Sequence, residues 1–208
     1  TGVQEMHEME KLHVVLNSLP QMSKDIVDDT IHEKVLSYLS EYASQGPDMV
    51  ATFMEWNAMK IIRACIIQEN RYNGIETGHE CNKDSRITSL SIRFLARLLA
   101  NDDRQNALLF NQIIYEYSDV LDFILDNAFS EEGLMRYSCI EALEQIVTYK
   151  LGAKWFHSTK GAQVVVACFL DSSTYVNTTK ATAQNDLLEF LISTLDLFNK
   201  IQEMLFNP

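Results

Sequence analysis

Glycine and proline are scarce in this chain, which has seven Gly and three Pro among 208 residues. An all-β domain needs many tight turns, and those turns draw heavily on both residue types. Long alternating runs of β-branched residues are also missing, and the most strand-like patch, residues 164–166 (VVV), is short. With 47% hydrophobic residues, the chain has the composition of a globular protein, and we predict an all-α fold.

Basic residues are in short supply, because 17 Lys and Arg face 29 Asp and Glu, for a net charge of −12. A phosphate backbone is bound by dense Lys and Arg, so direct nucleic-acid binding is not expected. An anionic membrane surface is disfavoured for the same reason, and no run approaches the roughly 20 apolar residues that cross a bilayer. There is no charged-then-apolar leader and no initial Met, so we expect a fragment of a longer protein.

Motifs that carry catalysis are absent from the sequence. No pair of histidines one turn apart encloses a glutamate, as zinc proteases require, and there is no glycine-rich phosphate loop or nucleophile elbow. The acids are scattered along predicted helices, where they most often form a solvated face. We therefore predict a protein that is not an enzyme, with no cofactor, no metal and no small-molecule substrate.

Cysteines number only four: Cys65, Cys81, Cys139 and Cys168. Three of them fall within apolar helical stripes, where a free thiol packs as a small hydrophobic group. No disulfide framework is visible, which favours a reducing compartment, cytoplasm or nucleus. One alternative stays open: His79 and Cys81 offer zinc-capable groups in a polar loop, although no spaced second pair of ligands accompanies them.

The stretch that best defines the architecture is 163–198. An apolar run over 164–170 stops at the short polar residues 171–174, which can cap a helix start. A second apolar series with steps of mostly three and four then continues to Phe198. Two antiparallel helices joined by a tight turn are predicted, and neither could bury its apolar face alone. In stacked helical repeats, each helix pair buries its apolar face against the next pair, so we predict an armadillo/HEAT-type α-solenoid.

The sequence pattern in the first third of the chain predicts three helices. The first ends near Pro20, because proline cannot continue a helix, and the second opens at Ser23. The apolar stripe of the second helix is expected at Val27, Ile31, Val35 and Leu39, with Leu36 and Tyr38 alongside. Gly46-Pro47 ends it and starts a third, heavily apolar helix over residues 50–67.

Residues 70–84 (NRYNGIETGHECNKD) break the helical pattern, and a flexible loop is expected there. A helix from about Ser85 follows and is interrupted at 101–103, and two shorter helices are predicted at 105–115 and 118–129. Residues 130–132 open the next helix, and 154–157 form a short helical turn.

Residues 121–149 resemble 165–194 in pattern, at the 40–45-residue spacing of armadillo/HEAT repeats. One helical domain over residues 1–208 is expected.

Three arginines, Arg86, Arg93 and Arg97, lie seven and four residues apart and so share one helix face. Two interpretations are open. The arginines could pair with some of the 29 acids of the chain itself, or they could form a docking strip for an acidic partner segment. Trp56 and Trp155 are expected in the core, since an exposed Trp would instead mark a binding hot spot.

Three short stretches resemble the BRCA-associated ATM activator (BRAT) family. Residues 26–30 (IVDDT) with 33–36 (EKVL) are similar to the start of that family, and residues 89–95 (SLSIRFL) to a later helix of its N-terminal region. Residues 171–176 (DSSTYV) with the 187–188 helix resemble a later repeat. The order and approximate spacing agree over most of the chain, except at residues 70–84.

The resemblance implies a non-catalytic scaffold that acts with the Integrator RNA endonuclease subunits and with ATM kinase in DNA-damage signalling, in nucleus and cytoplasm. The family's C-terminal tail engages the nuclease, and that tail is not part of this sequence. Two other classes remain. One is a helical metal-binding or enzymatic domain centred on residues 70–84, and the other is a purely structural cap for following repeats.

Overall fold

A computed structural model describes residues 2–22, 29–67, 85–128, 130, 132–159 and 199. Within these residues the chain is all-helical, with nine α-helices and no strand. The helices are α1 Gly2–Met22, α2 Asp29–Ala43, α3 Pro47–Glu55, α4 Ala58–Ile66, α5 Ser85–Asn101, α6 Leu108–Glu116, α7 Ser118–Asn127, α8 Gly133–Ile146 and α9 Lys150–Ser158. No helix in this described part is both long and apolar enough to cross a membrane.

Helix α5 lies at the centre of the packing and contacts α2, α4 and α8. Its core residues recur at helical spacing and are fully or almost fully buried, the largest being Ile92, Phe94, Leu95, Leu98 and Leu99. The buried residues of α5 cover more than half of its circumference, which requires neighbours on several sides. That is why α5 is the helix around which the others are arranged.

Four of the six pairs of described helices that lie three apart in the chain pack closely together: α1 with α4, α2 with α5, α3 with α6 and α5 with α8. Successive helices also pack, as in α1 with α2, α4 with α5 and α7 with α8. The hydrophobic core runs without interruption from Leu12 in α1 to Phe156 in α9.

The expectation that the first helix ends near Pro20 is wrong by about half a turn, because α1 continues to Met22. Proline removes one backbone donor and crowds the preceding turn, which is costly in a helix interior. Pro20 falls in the last turn of α1, so only two helical residues follow it. Leu16 and Leu19 are buried and hold this end of α1 against the core.

The buried stripe of α2 agrees with the expected one at Leu39, and at Leu36 beside it, but not at Ile31. Leu36, Leu39 and Ala43 are buried, Val35 lies at the edge of the core, and Ile31 is 46% exposed. The stripe is thus rotated by about one residue, since α2 must face α1 and α5 together. Val27 and the predicted start at Ser23 lie outside the described residues.

The predicted third helix is two helices, α3 and α4, separated at Trp56 and Asn57. Asn57 adopts a left-handed conformation with φ of 57°, and its N–H donates to the carbonyl of Met54 at 2.9 Å. Asparagine tolerates this region better than most residues. Apolar spacing alone carries no sign of such a break, because hydrophobic residues continue on both sides of it.

Other boundaries agree with the sequence. Gly46 has a φ of 120°, which suits glycine, and Pro47 is the first residue of α3, as predicted. The interruption after α5 and the two shorter helices α6 and α7 are also found. The turn predicted at 154–157 belongs to a longer helix, α9. The expected loop at 70–84 and the helix pair at 163–198 lie outside the described residues.

Candidate protein-interaction surface

Arg86 lies in the first turn of α5 and pairs with Glu33 of α2, with Nη2 and Oε2 2.8 Å apart. Both side chains are about half exposed. An ion pair in such a position is worth about 0–1 kcal/mol, because water screens the charges and ordering two long side chains costs entropy. The pair therefore marks where α5 meets α2 without contributing much to stability.

Arg93 and Arg97 share the carboxylate of Glu141 on α8. Arg93 Nε lies 3.2 Å from Oε2, and Arg97 Nη2 lies 3.2 Å from Oε1. Glu141 is 16% exposed, while the arginine side chains are 37% and 49% exposed. The α5–α8 packing brings the three together, since residues 93 and 97 lie one turn apart on α5.

The predicted strip of Arg86, Arg93 and Arg97 therefore lies on one helix, and each arginine pairs with an acid of the chain itself. This is the intramolecular interpretation that the sequence left open. Each guanidinium nevertheless keeps substantial exposure, and with five N–H donors it can accept a second partner. Docking of an acidic segment on this strip stays a prediction.

Tyr137 belongs to the same surface, although no sequence pattern singles it out. Its ring centroid lies 5.7 Å from Cζ of Arg93, a cation–π distance, and the side chain is partly exposed. Tyr137 and Glu141 are one turn apart on α8 and so face α5 together. Tyr137 can be recognised as part of this surface only from the register between α5 and α8. The spacing of residues along the chain does not specify that register.

A groove of about 570 Å³ lies between α1 and the α3–α4 break. His13 of α1 stacks on Trp56 with ring centroids 4.8 Å apart, and Phe53 meets Trp56 edge-on at 5.9 Å. Asn17, Glu55 and Lys60 are among the polar residues that line the groove. Trp56 is half-buried against the core, as is Trp155, so each packs partly as the sequence predicted.

A buried polar cluster joins the end of α5, the start of α6 and the turn between α8 and α9. Asp102 is 8% exposed, and its Oδ2 accepts the N–H of Phe110 at 3.4 Å. The hydroxyl of Tyr149 lies 3.3 Å from the same oxygen, and its one hydrogen is shared with the closer carbonyl oxygen of Leu99, 2.7 Å away. Burial raises the pKa of Asp102, although these hydrogen bonds oppose the rise. The Phe110 and Tyr149 rings stack beside it, with their centroids 4.6 Å apart. The cluster thus holds helix ends together.

The thiols of Cys65 and Cys139 are buried and unpaired by disulfides. Desolvation raises the pKa of Cys65 to about 11 and that of Cys139 to about 12, so both stay protonated at neutral pH and lack the thiolate that nucleophilic attack needs. The part of the chain that the structure describes has no group of three metal-binding side chains. His79 and Cys81 lie outside that part, as does Cys168.

Comparisons with known proteins bear on the fold. No family model matches the chain, and no curated protein sequence matches it. An engineered protein, whose crystal structure comes from the Northeast Structural Genomics Consortium, is similar in structure with a TM-score of 0.57. The match covers 93% of this chain and 68% of the engineered one, at 13% sequence identity. At that identity the likeness concerns the fold alone.

Proposed function

We propose that the chain is an armadillo/HEAT-type α-solenoid that acts as a non-catalytic scaffold for protein partners. The observation that supports this most directly is the packing of helices three apart in the chain. Armadillo repeats have three helices, so stacked repeats place each helix against its equivalent three positions on. In such a layered fold each repeat contacts its neighbours, and the stack presents an extended binding surface.

Ion pairs between helices follow the same order. Arg63 of α4 pairs with Asp119 of α7 at 2.6 Å, and Arg86 of α5 pairs with Glu33 of α2. Arg93 of α5 pairs with Glu141 of α8. Each pair joins helices three apart, which is what polar contacts at the boundary between successive repeats would do.

The partners that we propose follow from the resemblance to the BRAT family. They are the Integrator RNA endonuclease subunits and ATM kinase, in nucleus and cytoplasm. Residues 89–95, one of the stretches that carry the resemblance, belong to α5 at the centre of the packing. A scaffold role also fits the buried, protonated thiols, which leave the described part of the chain without an activated cysteine nucleophile.

Reconstitution with purified components tests the proposal. The 208-residue chain would be mixed with the purified Integrator nuclease subunits and, separately, with ATM kinase, and each mixture analysed by size-exclusion chromatography with light scattering. We expect co-elution at a fixed stoichiometry with at least one of them. No complex with either at about 10 μM, where interactions of micromolar Kd are still populated, would contradict the partner assignment.

A further inference from the structure

We propose that Arg93, Arg97 and Tyr137 form a docking site for an acidic helix of a protein partner, and that Glu141 occupies this site in the free chain. The inference rests on the proposed scaffold function and names the chemistry of its partner. We call the four residues the α5–α8 charge site.

The α5–α8 charge site has a local excess of positive charge. Two guanidinium groups share one carboxylate, so Arg93, Arg97 and Glu141 together carry a net charge of +1 within a chain of net charge −12. Arg93 uses Nε and Arg97 uses Nη2 toward Glu141. A guanidinium has five N–H donors, so each arginine retains donors for a further acceptor. A carboxylate of a partner would neutralise the excess.

Tyr137 gives this site an apolar element. Its ring lies beside Arg93 and is partly exposed, so a partner side chain can pack on the ring while its carboxylate reaches the guanidiniums. Tyr and Arg are the residue types that most often carry binding energy at protein interfaces. The three side chains combine a charged anchor with a rigid surface.

A helical occupant matches the geometry of α5. Arg93 and Arg97 are one turn apart, about 6 Å along the axis, and Arg86 lies a further ~10 Å away on the same face. A partner helix laid along α5 presents acids with the same spacing when they are four and eleven residues apart. An extended segment would have to skip residues unevenly to meet the same three positions.

Glu141 acts as an internal competitor in this arrangement. Its carboxylate is largely buried between the two guanidiniums, where the partner's carboxylate would otherwise bind. Glu141→Gln keeps the shape of the side chain and removes its charge. If the ion pairs of Glu141 were only structural, this variant should be less stable and bind the acidic helix with unchanged affinity. If the arginines form a docking site, the variant should bind the acidic helix more tightly.

The experiment uses two labelled helical peptides, one with Glu at positions matching the three arginines and one with Gln at the same positions. Fluorescence anisotropy would measure their binding to the 208-residue chain at low and moderate salt. We expect the Glu peptide to bind and the Gln peptide to bind at least about tenfold more weakly. Glu141→Gln should tighten binding of the Glu peptide by about threefold or more, a gain that misfolding cannot produce.

A matched charge-reversal control separates local recognition from overall charge. Arg93→Glu with Arg97→Glu should weaken binding about tenfold. Lys150→Glu with Lys154→Glu reverses two exposed lysines that are also four residues apart, on α9, and should change binding less than about twofold. Circular dichroism would confirm that both double variants remain helical.

Equal binding of the two peptides, equal losses in the arginine and lysine variants, or unchanged affinity in Glu141→Gln would each overturn the proposed site. If those results occurred while the reconstituted complexes still formed, only this site would be refuted and the scaffold would bind elsewhere. If no complex formed in the reconstitution either, the proposed partners would be refuted together with this site.

Discussion

The hydroxyl of Tyr149 donates a hydrogen bond to the carbonyl oxygen of Leu99, 2.7 Å away. Leu99 lies in the last turn of α5, where carbonyl groups have no partner within the helix. Tyr149 stands just before α9, so a side chain 50 residues along the chain completes the end of α5. The contact links the central helix to the α8–α9 turn.

Tyr149→Phe should destabilise the chain by about 1–3 kcal/mol, because it leaves the buried carbonyl of Leu99 without this donor and also removes the longer contact with Asp102. The stacking of ring 149 on Phe110 would be kept, which isolates the contribution of the hydroxyl. Urea denaturation followed by circular dichroism measures the change. Tyr115→Phe is the control, since Tyr115 is exposed and its loss of a hydroxyl should change stability by less than about 0.5 kcal/mol. Equal effects of the two substitutions would contradict the assigned role of the Tyr149 hydrogen bond.

Asp102 should make the folded chain less stable as pH rises, which is opposite to the effect of a carboxylate whose pKa is lowered by an ion pair. Burial raises its pKa in the folded chain above the unfolded value of about 3.9, so the folded state binds this proton more tightly. The folded state then loses stability as pH rises from about 4 through the raised pKa, and the loss is complete above it.

Asp102→Asn removes this dependence, because the amide does not titrate and its oxygen can still accept the N–H of Phe110. The difference in unfolding free energy between the original chain and Asp102→Asn, measured by urea denaturation from pH 4 to 8, isolates the contribution of this carboxyl. We expect that difference to shift in favour of the Asn variant as pH rises. A difference independent of pH would show that burial does not perturb Asp102.

Gly152 and Gly133 should respond in opposite ways to the same substitution. A Cβ on Gly152 would overlap the carbonyl oxygen of Ile146, whereas a Cβ on Gly133 would meet nothing within 4 Å. Gly152→Ala should therefore cost about 1–3 kcal/mol through overpacking, despite the better helix propensity of alanine. Gly133→Ala, at the start of α8, should be neutral or stabilise by up to about 1 kcal/mol. Thermal denaturation of the two variants tests this, and a stabilising Gly152→Ala would refute the close approach of α9 to the end of α8.

Ala107 and Ala64 form a second matched pair. Ala107 precedes α6 with a φ of 49°, in the left-handed region that costs an L-residue roughly 1–2 kcal/mol. Ala107→Gly should relieve that strain and be stabilising by about 0.5–1 kcal/mol, after the larger entropy loss of glycine is subtracted. Ala64→Gly, at an exposed position in α4, should cost about 1 kcal/mol. Chemical denaturation of both variants measures the signs, and a loss at Ala107 as large as that at Ala64 would contradict the left-handed assignment.

Sequence patterns located most of the described helices, because each helix repeats apolar residues at its own period. Arg86, Arg93 and Arg97 could be placed on one face by spacing alone, and they do share α5. Their partners could not, since Glu33 and Glu141 are more than 40 residues away and two among 29 acids. Tyr137 could not be predicted either, because Arg93, the residue it contacts, is also more than 40 residues away.

What the amino-acid sequence determined by itself is therefore local: helical periodicity, the Gly46-Pro47 junction and the acidic charge balance of the chain. The tertiary structure decided everything that depends on which helix faces which. The rotation of the α2 stripe and the burial of Asp102 against Tyr149 both depend on packing between elements distant in the chain. Local propensities of a fraction of a kcal/mol per residue specify helices, but burial worth about 1.5–3 kcal/mol per large apolar side chain decides how they assemble.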